Sequence, residues 1–93
     1  MQRAALPDQE WTVFVAELGQ NLQRIRADRG LSQEHVAYTA GLSRYTYQKY
    51  EKGESRPGTP ANPSLKVVLT LARALETTLS ELLPANAPDL TAR

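Results

Sequence analysis

The sequence predicts an all-α fold of five helices with an extended first helix, and three observations carry that expectation. Apolar residues recur at three- and four-residue steps in several separate stretches, the pattern of helices that each bury one face. Serine or threonine stands ahead of most of those stretches, where a side-chain oxygen caps free N–H groups, and Gly30, Gly41 and Gly53 stand behind the first three. With 93 residues and no internal repeat, the chain supports one compact domain that buries about 60–70% of its unfolded surface. Such a core is modest, so a dimer is expected from the outset.

The first helix is expected to start at Pro7-Asp8, with Asp8 placed to cap backbone N–H groups. Trp11, Phe14, Val15, Leu18, Leu22 and Ile25 lay an apolar stripe along one of its faces. The basic turn from Arg26 to Arg29 suits the negative end of the helix dipole, and Gly30 ends the helix. Ser32 caps a short second helix that opens on Gln33, Glu34 and His35, turns Val36, Ala37 and Ala40 inward and stops at Gly41. Ser43 caps a third, RYTYQKYEK, which ends at Gly53, a residue free to take the left-handed conformation. Two short helices joined across a glycine turn are the outline of a helix-turn-helix.

From Glu54 to Pro63 the chain reads ESRPGTPANP, too rich in proline, glycine and small polar residues for a helix; a long loop is expected. Ser64 or Asn62 caps a fourth helix whose buried stripe is Leu65, Val68, Leu69, Ala72 and Leu75. Thr78 to Glu81 has the spacing of a capping box and opens a short fifth helix with Leu79, Leu82 and Leu83. The tail PANAPDLTAR reads as fray or a contact arm.

Composition excludes several kinds of chemistry. Without cysteine there is no disulfide framework and no thiolate zinc site or nucleophile, and His35 is a lone imidazole. No paired carboxylates in an apolar context and no phosphate-binding glycine loop are present, so no catalytic residue, metal or cofactor is expected. No run of about 18 apolar residues and no signal-like N-terminus occur, and a soluble, cytoplasmic chain without a membrane partner is expected. The net charge of +1 hides an uneven distribution: residues 24–66 carry +4 and the flanks −3. Clustered cations in the middle suit a polyanionic partner.

The stretches RADRGLSQEHVA, AGLSRYTYQKYEKGESRP and PSLKVVLTLARALETTLSELL together resemble the phage repressor and Cro type of helix-turn-helix, the XRE-like family of bacterial regulators and antitoxins. The resemblance runs from about Glu17 to Leu83 and implies a lambda-repressor-like DNA-binding domain. Residues 1–16 would form a partly helical extension, 17–83 the domain and 84–93 a tail.

In that setting the third helix enters the major groove and the second braces it. Tyr47 and Tyr50, one turn apart, face the core, which leaves Arg44, Tyr45, Gln48, Lys49 and Lys52 outward. Arg44 and Gln48 are the expected base readers, since arginine pairs bidentately with guanine and glutamine with adenine. Tyr45 is placed for a thymine methyl or a sugar, and Lys49 for a base edge or a phosphate. The resemblance implies a phosphate contact for Gln33; Ser43, Lys52 and Arg56 add further ones. It also pairs Arg26 with Glu51 in a structural ion pair between the first and third helices. Trp11 and Phe14 fit either a larger core or a dimer contact.

Two features depart from the family. The connection after the third helix is longer than usual, and Glu76 stands where a glycine commonly ends the fourth helix; a local adjustment is expected there. The resemblance implies a transcriptional regulator, a repressor or autoregulator, that binds a palindromic double-stranded operator as a homodimer. Alternatives are an antitoxin with a toxin partner, or a protein-interaction module that kept the fold without DNA binding.

Overall fold

A computed structural model describes residues 7–91. Five helices and a small hairpin follow in order: α1 (Pro7–Asp28), α2 (Gln33–Thr39), α3 (Arg44–Lys52), β1 (Glu54–Arg56), β2 (Thr59–Pro60), α4 (Leu65–Ala74) and α5 (Leu79–Leu82). Pro7 is the first residue of α1, which places Asp8 inside the first turn rather than at the cap; its side chain lies outside the described residues. The caps expected of Ser32 and Ser43 are formed, and of the two candidates before α4 the cap is Ser64. Thr78 and Glu81 bond reciprocally as a capping box.

Val15, Leu18, Leu22 and Ile25 of α1 meet Val36, Ala37, Tyr47, Val68, Leu71, Ala72, Leu75 and Leu82 in one buried cluster. Trp11 is half-buried against that cluster, and its ring stacks on Phe14 at 5.7 Å between centroids. The indole N–H of Trp11 donates to the Ala61 carbonyl at 3.0 Å. Trp11 thus extends the core within the chain.

Two expectations are corrected. The segment after Gly53 is a hairpin: β1 and β2 pair antiparallel, Glu54 opposite Pro60 and Arg56 opposite Thr59, with an irregularity between. Gly58 turns the tip at φ 81°, and the Ala61 N–H closes the base onto the Gly53 carbonyl at 2.9 Å. Proline and glycine kept the segment from forming a helix but suited a two-residue turn. In α4 the buried stripe is Val68, Leu71, Ala72 and Leu75, while Leu65 and Leu69 are exposed by 68% and 47%. Both stripes satisfy three- and four-residue spacing, and the contact with α2 and α5 selects the one that turns Leu71 inward.

Glu76 takes φ +55°, the left-handed geometry expected where a glycine is usual. Arg29 steadies the turn by donating to the carbonyls of Leu75 at 3.1 Å and Glu76 at 2.8 Å. The tail lies against α1, where the Asp89 N–H donates to Glu10 Oε1 at 2.7 Å.

Gly19 lets α1 and α3 touch. A Cβ there would stand 2.5 Å from the Glu51 carbonyl oxygen and 2.8 Å from that of Tyr50, both backbone atoms with no freedom to swing aside. Gly19→Ala is therefore expected to cost about 1–3 kcal/mol through overpacking, whereas the same change in an open helix stabilises by about 0.5–1 kcal/mol. Thermal and urea melting give the sign, and a Tm at or above the parent's would contradict the close approach.

Candidate nucleic-acid interface

The α2–turn–α3 unit owes its shape to two caps and one glycine. The Ser32 hydroxyl accepts the His35 N–H at 3.0 Å, which starts α2. Gly41 at φ +74° reverses the chain, and the Leu42 N–H reaches back to the Ala37 carbonyl at 2.8 Å. The Ser43 hydroxyl then accepts the Thr46 N–H at 3.0 Å and donates to Thr46 Oγ1 at 2.9 Å. At the far end Gly53, at φ +74°, accepts no side chain, since a Cβ would meet the Ala16 Cα at 2.9 Å.

Tyr47 is fully buried and Tyr50 half-buried, and this fixes the rotation of α3 about its axis. Arg44 and Tyr45 consequently project outward, exposed, with Gln48 and Lys49 half-exposed beside them and Lys52 at the C-terminal end. Lys49 Nζ lies 4.4 Å from the centre of the Tyr45 ring, a cation–π contact that orients both side chains. Arg44 Nη1 stands 3.9 Å from Glu34 Oε1 across an exposed gap. An open pair of this kind contributes about 0–1 kcal/mol and yields readily to a stronger anion.

Behind this face sits a polar cluster centred on Glu51, which is buried with 5% of its surface exposed. Its carboxylate accepts Arg26 Nε at 2.6 Å and Arg26 Nη2 at 3.3 Å, the Tyr47 hydroxyl at 2.5 Å and Gln33 Nε2 at 2.8 Å. Burial alone pushes the Glu51 carboxyl up, but hydrogen bonds from Arg26, Tyr47 and Gln33 outweigh it and hold the group below its ordinary value. The bond to Glu51 likewise raises the Arg26 guanidinium against the opposing effect of burial. Burial and the adjoining carboxylate push the Tyr47 hydroxyl up, so it stays a donor.

The cluster reaches the surface through Gln33 and Gln48. Gln48 Nε2 donates to Gln33 Oε1 at 3.0 Å, so a residue of the outward face is linked through α2 to the buried pair. Ser43, Lys52 and Arg56 stand apart from this cluster, Ser43 in its cap and the two cations exposed. His35 is exposed at the start of α2.

Sequence reasoning missed Gly19, Gln23 and Thr46. Gln23 Nε2 donates to the Glu51 carbonyl at 2.8 Å, a second tie from α1 to the end of α3. Gly19 left a signal, because an isolated glycine inside a strongly periodic helix marks a close backbone contact; Gln23 and Thr46 left none.

A family model described as a helix-turn-helix domain matches residues 17–84. The chain belongs to the helix-turn-helix family. Among solved structures, the restriction-modification controller protein C.AhdI from Aeromonas hydrophila is 36% identical with a TM-score of 0.65, over 74% of this chain and 96% of that one. A hypothetical transcription factor, NHTF from Neisseria, is 29% identical with a TM-score of 0.65, over 91% and 88%. An HTH_3 family transcriptional regulator from Vibrio cholerae is 25% identical with a TM-score of 0.67, over 77% and 37%. No curated protein sequence matches the chain. The fold is that of the XRE-like, lambda-repressor-like DNA-binding regulators. No helix among the described residues is long and apolar enough to cross a membrane.

Arg26→Met strands the Glu51 carboxylate and is expected to cost about 3–5 kcal/mol; melting no earlier than the parent would refute the pair's structural role. Because the folded value for Glu51 lies below its ordinary 4.5, its contribution is complete above that pH and is lost as pH falls through the lowered value. Melts at a series of acid pH values should show a shallower decline for Glu51→Gln than for the parent.

Proposed function

We propose that this helix-turn-helix protein is a cytoplasmic transcriptional regulator that binds a palindromic DNA operator as a homodimer and reads it with Gln48 and Arg44. One observation carries the reading: the buried ion pair fixes which way the Gln48 amide faces. An ionised carboxylate only accepts hydrogen bonds, so Gln33 must turn its Nε2 to Glu51 and its Oε1 to Gln48. Gln48 must then meet Gln33 with its own Nε2. What remains on Gln48 is one N–H donor and the Oε1 acceptor, the complement of adenine N7 and N6 in the major groove.

Arg44 supplies a guanidinium for guanine O6 and N7 once a base displaces the weak contact to Glu34. Tyr45 offers an apolar ring to a thymine methyl or sugar, and Lys49, held over that ring, offers a charge to a base edge or phosphate. Gln33 retains one amide hydrogen for a phosphate. With the Ser43 hydroxyl spent on its cap, the backbone N–H groups it precedes at the start of α3 take that contact, joined by Lys52 and Arg56. Two such units related by a dyad place recognition helices about 34 Å apart on half-sites roughly 10 base pairs apart.

A finer reading within this class is favoured by the 36% identity to a restriction-modification controller: control of a neighbouring restriction-modification operon. Adjacent genes test it, and a toxin gene in their place, with its product co-purifying, would favour an antitoxin instead.

Selection from a random duplex pool is expected to enrich a two-fold motif with adenine at the Gln48 position. Gln48→Ala should cost about 1–3 kcal/mol of discrimination there. Gln48→Glu, which leaves acceptors only, should move the preference toward cytosine, whose N4 amine donates. A folded protein that enriches no motif at moderate salt would favour the interaction-module alternative and sink the reading.

A further inference from the structure

The N-terminal end of α1 lies ahead of the residues that match the family, 17–84, and the hairpin stands where a long loop is expected between α3 and α4. These two elements pack on each other. Ala61, just after β2, is 1% exposed and is held from both sides: its N–H donates to the Gly53 carbonyl at 2.9 Å, and its carbonyl accepts the Trp11 indole at 3.0 Å. Gly53, where the hairpin leaves α3, presses on the α1 backbone at Val15 and Ala16. β2 packs on α1 while β1 packs on α3.

A flexible loop would join α3 to α4 equally well, so the order found here needs another reason. All three residues of β1 are exposed, and Arg56 is prepared for an anion. Its Nε donates to Thr59 Oγ1 at 3.3 Å across the turn, which orients the guanidinium. Arg56 forms no ion pair among the described residues. The neighbouring Glu54 carboxylate is drawn to the Gly58 N–H at 3.4 Å instead. The hairpin begins directly after the last, basic turn of α3, with Lys49 and Lys52.

We infer that the hairpin is a wing that sets Arg56 against a DNA phosphate beside the recognition helix, and that Trp11 is the positioning residue that holds the wing. The inference rests on the DNA-binding reading above, which already gives Arg56 a phosphate, and adds to it the ordered hairpin and the Trp11 tie that hold that contact in place. A phosphate contact made by a pre-ordered guanidinium loses less entropy than one made from a mobile loop. Trp11 contributes through Ala61 without touching DNA.

The test uses the full chain on the duplex it selects, with affinity measured between about 50 and 200 mM salt. Arg56→Ala should flatten the slope of log affinity against log salt by about 0.9, the loss of one phosphate. Trp11→Phe, which keeps a ring but has no N–H to donate, and Thr59→Val, which frees Arg56 and leaves the Trp11 indole and the Ala61 carbonyl in place, should each flatten it in part. In the Trp11→Phe background, Arg56→Ala should add little. Helical signal at the assay temperature is checked for each variant, and if Trp11→Phe is unfolded, coupling of Thr59→Val with Arg56→Ala decides. An unchanged slope for Arg56→Ala, or independent losses in the double variant, would overturn the wing. If Gln48→Ala alters the selected base while the wing variants behave as the parent, the wing alone fails; if the parent binds no duplex, both readings fail.

Discussion

The buried carboxylate of Glu51 is the point on which the arrangement of the first three helices depends. It sits near the end of α3, accepts hydrogen bonds from Arg26 of α1, Gln33 of α2 and Tyr47 of its own helix, and is 5% exposed. An ion pair withdrawn from water is not in itself a large source of stability, because desolvation offsets much of the attraction, and apolar residues of equal volume often serve as well. What it provides is polarity. A hydrophobic contact would tolerate any rotation of Gln33, whereas a carboxylate admits only donors, and that single restriction passes to Gln33 and then to Gln48.

The cluster can form only because the helices approach closely. Gly19 brings the α1 backbone against the carbonyls of Tyr50 and Glu51, and Gln23, one turn on, donates to the same Glu51 carbonyl. At the other end of the contact Gly53 meets Ala16. These small residues set the depth of the contact, and the charged and amide groups set its register. Every buried side-chain nitrogen and oxygen among the described residues has a partner, so the polar interior carries no unpaired group of the kind that costs about 1–3 kcal/mol.

Much of this was legible in the sequence because it is local. Ser32, Ser43 and Thr78 announce helix starts by chemistry that acts within three residues, and Gly30, Gly41 and Gly53 take the positive φ that ends each turn. Tyr47 fixes which side of α3 faces outward, so Arg44 and Tyr45 could be placed outward without knowing any other helix. The orientation of the Gln48 amide could not, since it is decided by a carboxylate two hydrogen bonds away. The α4 stripe failed for a related reason: Leu65, Val68, Leu69 and Ala72 form as good a helical face as Val68, Leu71, Ala72 and Leu75, and only packing on α2 and α5 decides between them. The tie that holds the hairpin base to α1 was hidden because Trp11 and Ala61 stand 50 positions apart.

The long first helix acts as a common spine. Its beginning holds the hairpin through Trp11, its middle admits α3 at Gly19, and its last turns reach Leu31, in the turn before α2, and the end of α4 through Arg26 and Arg29. The last of these contacts matters at Glu76, a non-glycine residue at φ +55°, a conformation that costs an L-residue about 1–2 kcal/mol. Arg29 donates to the carbonyls on either side of that strained bend, so the cation that suits the end of α1 also holds the turn into α5. Because one continuous helix packs on α3, β2 and α5 and bonds the end of α4, displacement of the recognition helix must disturb the hairpin base, the Glu51 cluster and the Glu76 turn together. A unit built this way meets a duplex with its reading face already formed, and the entropy of ordering that face is lost on folding rather than on binding.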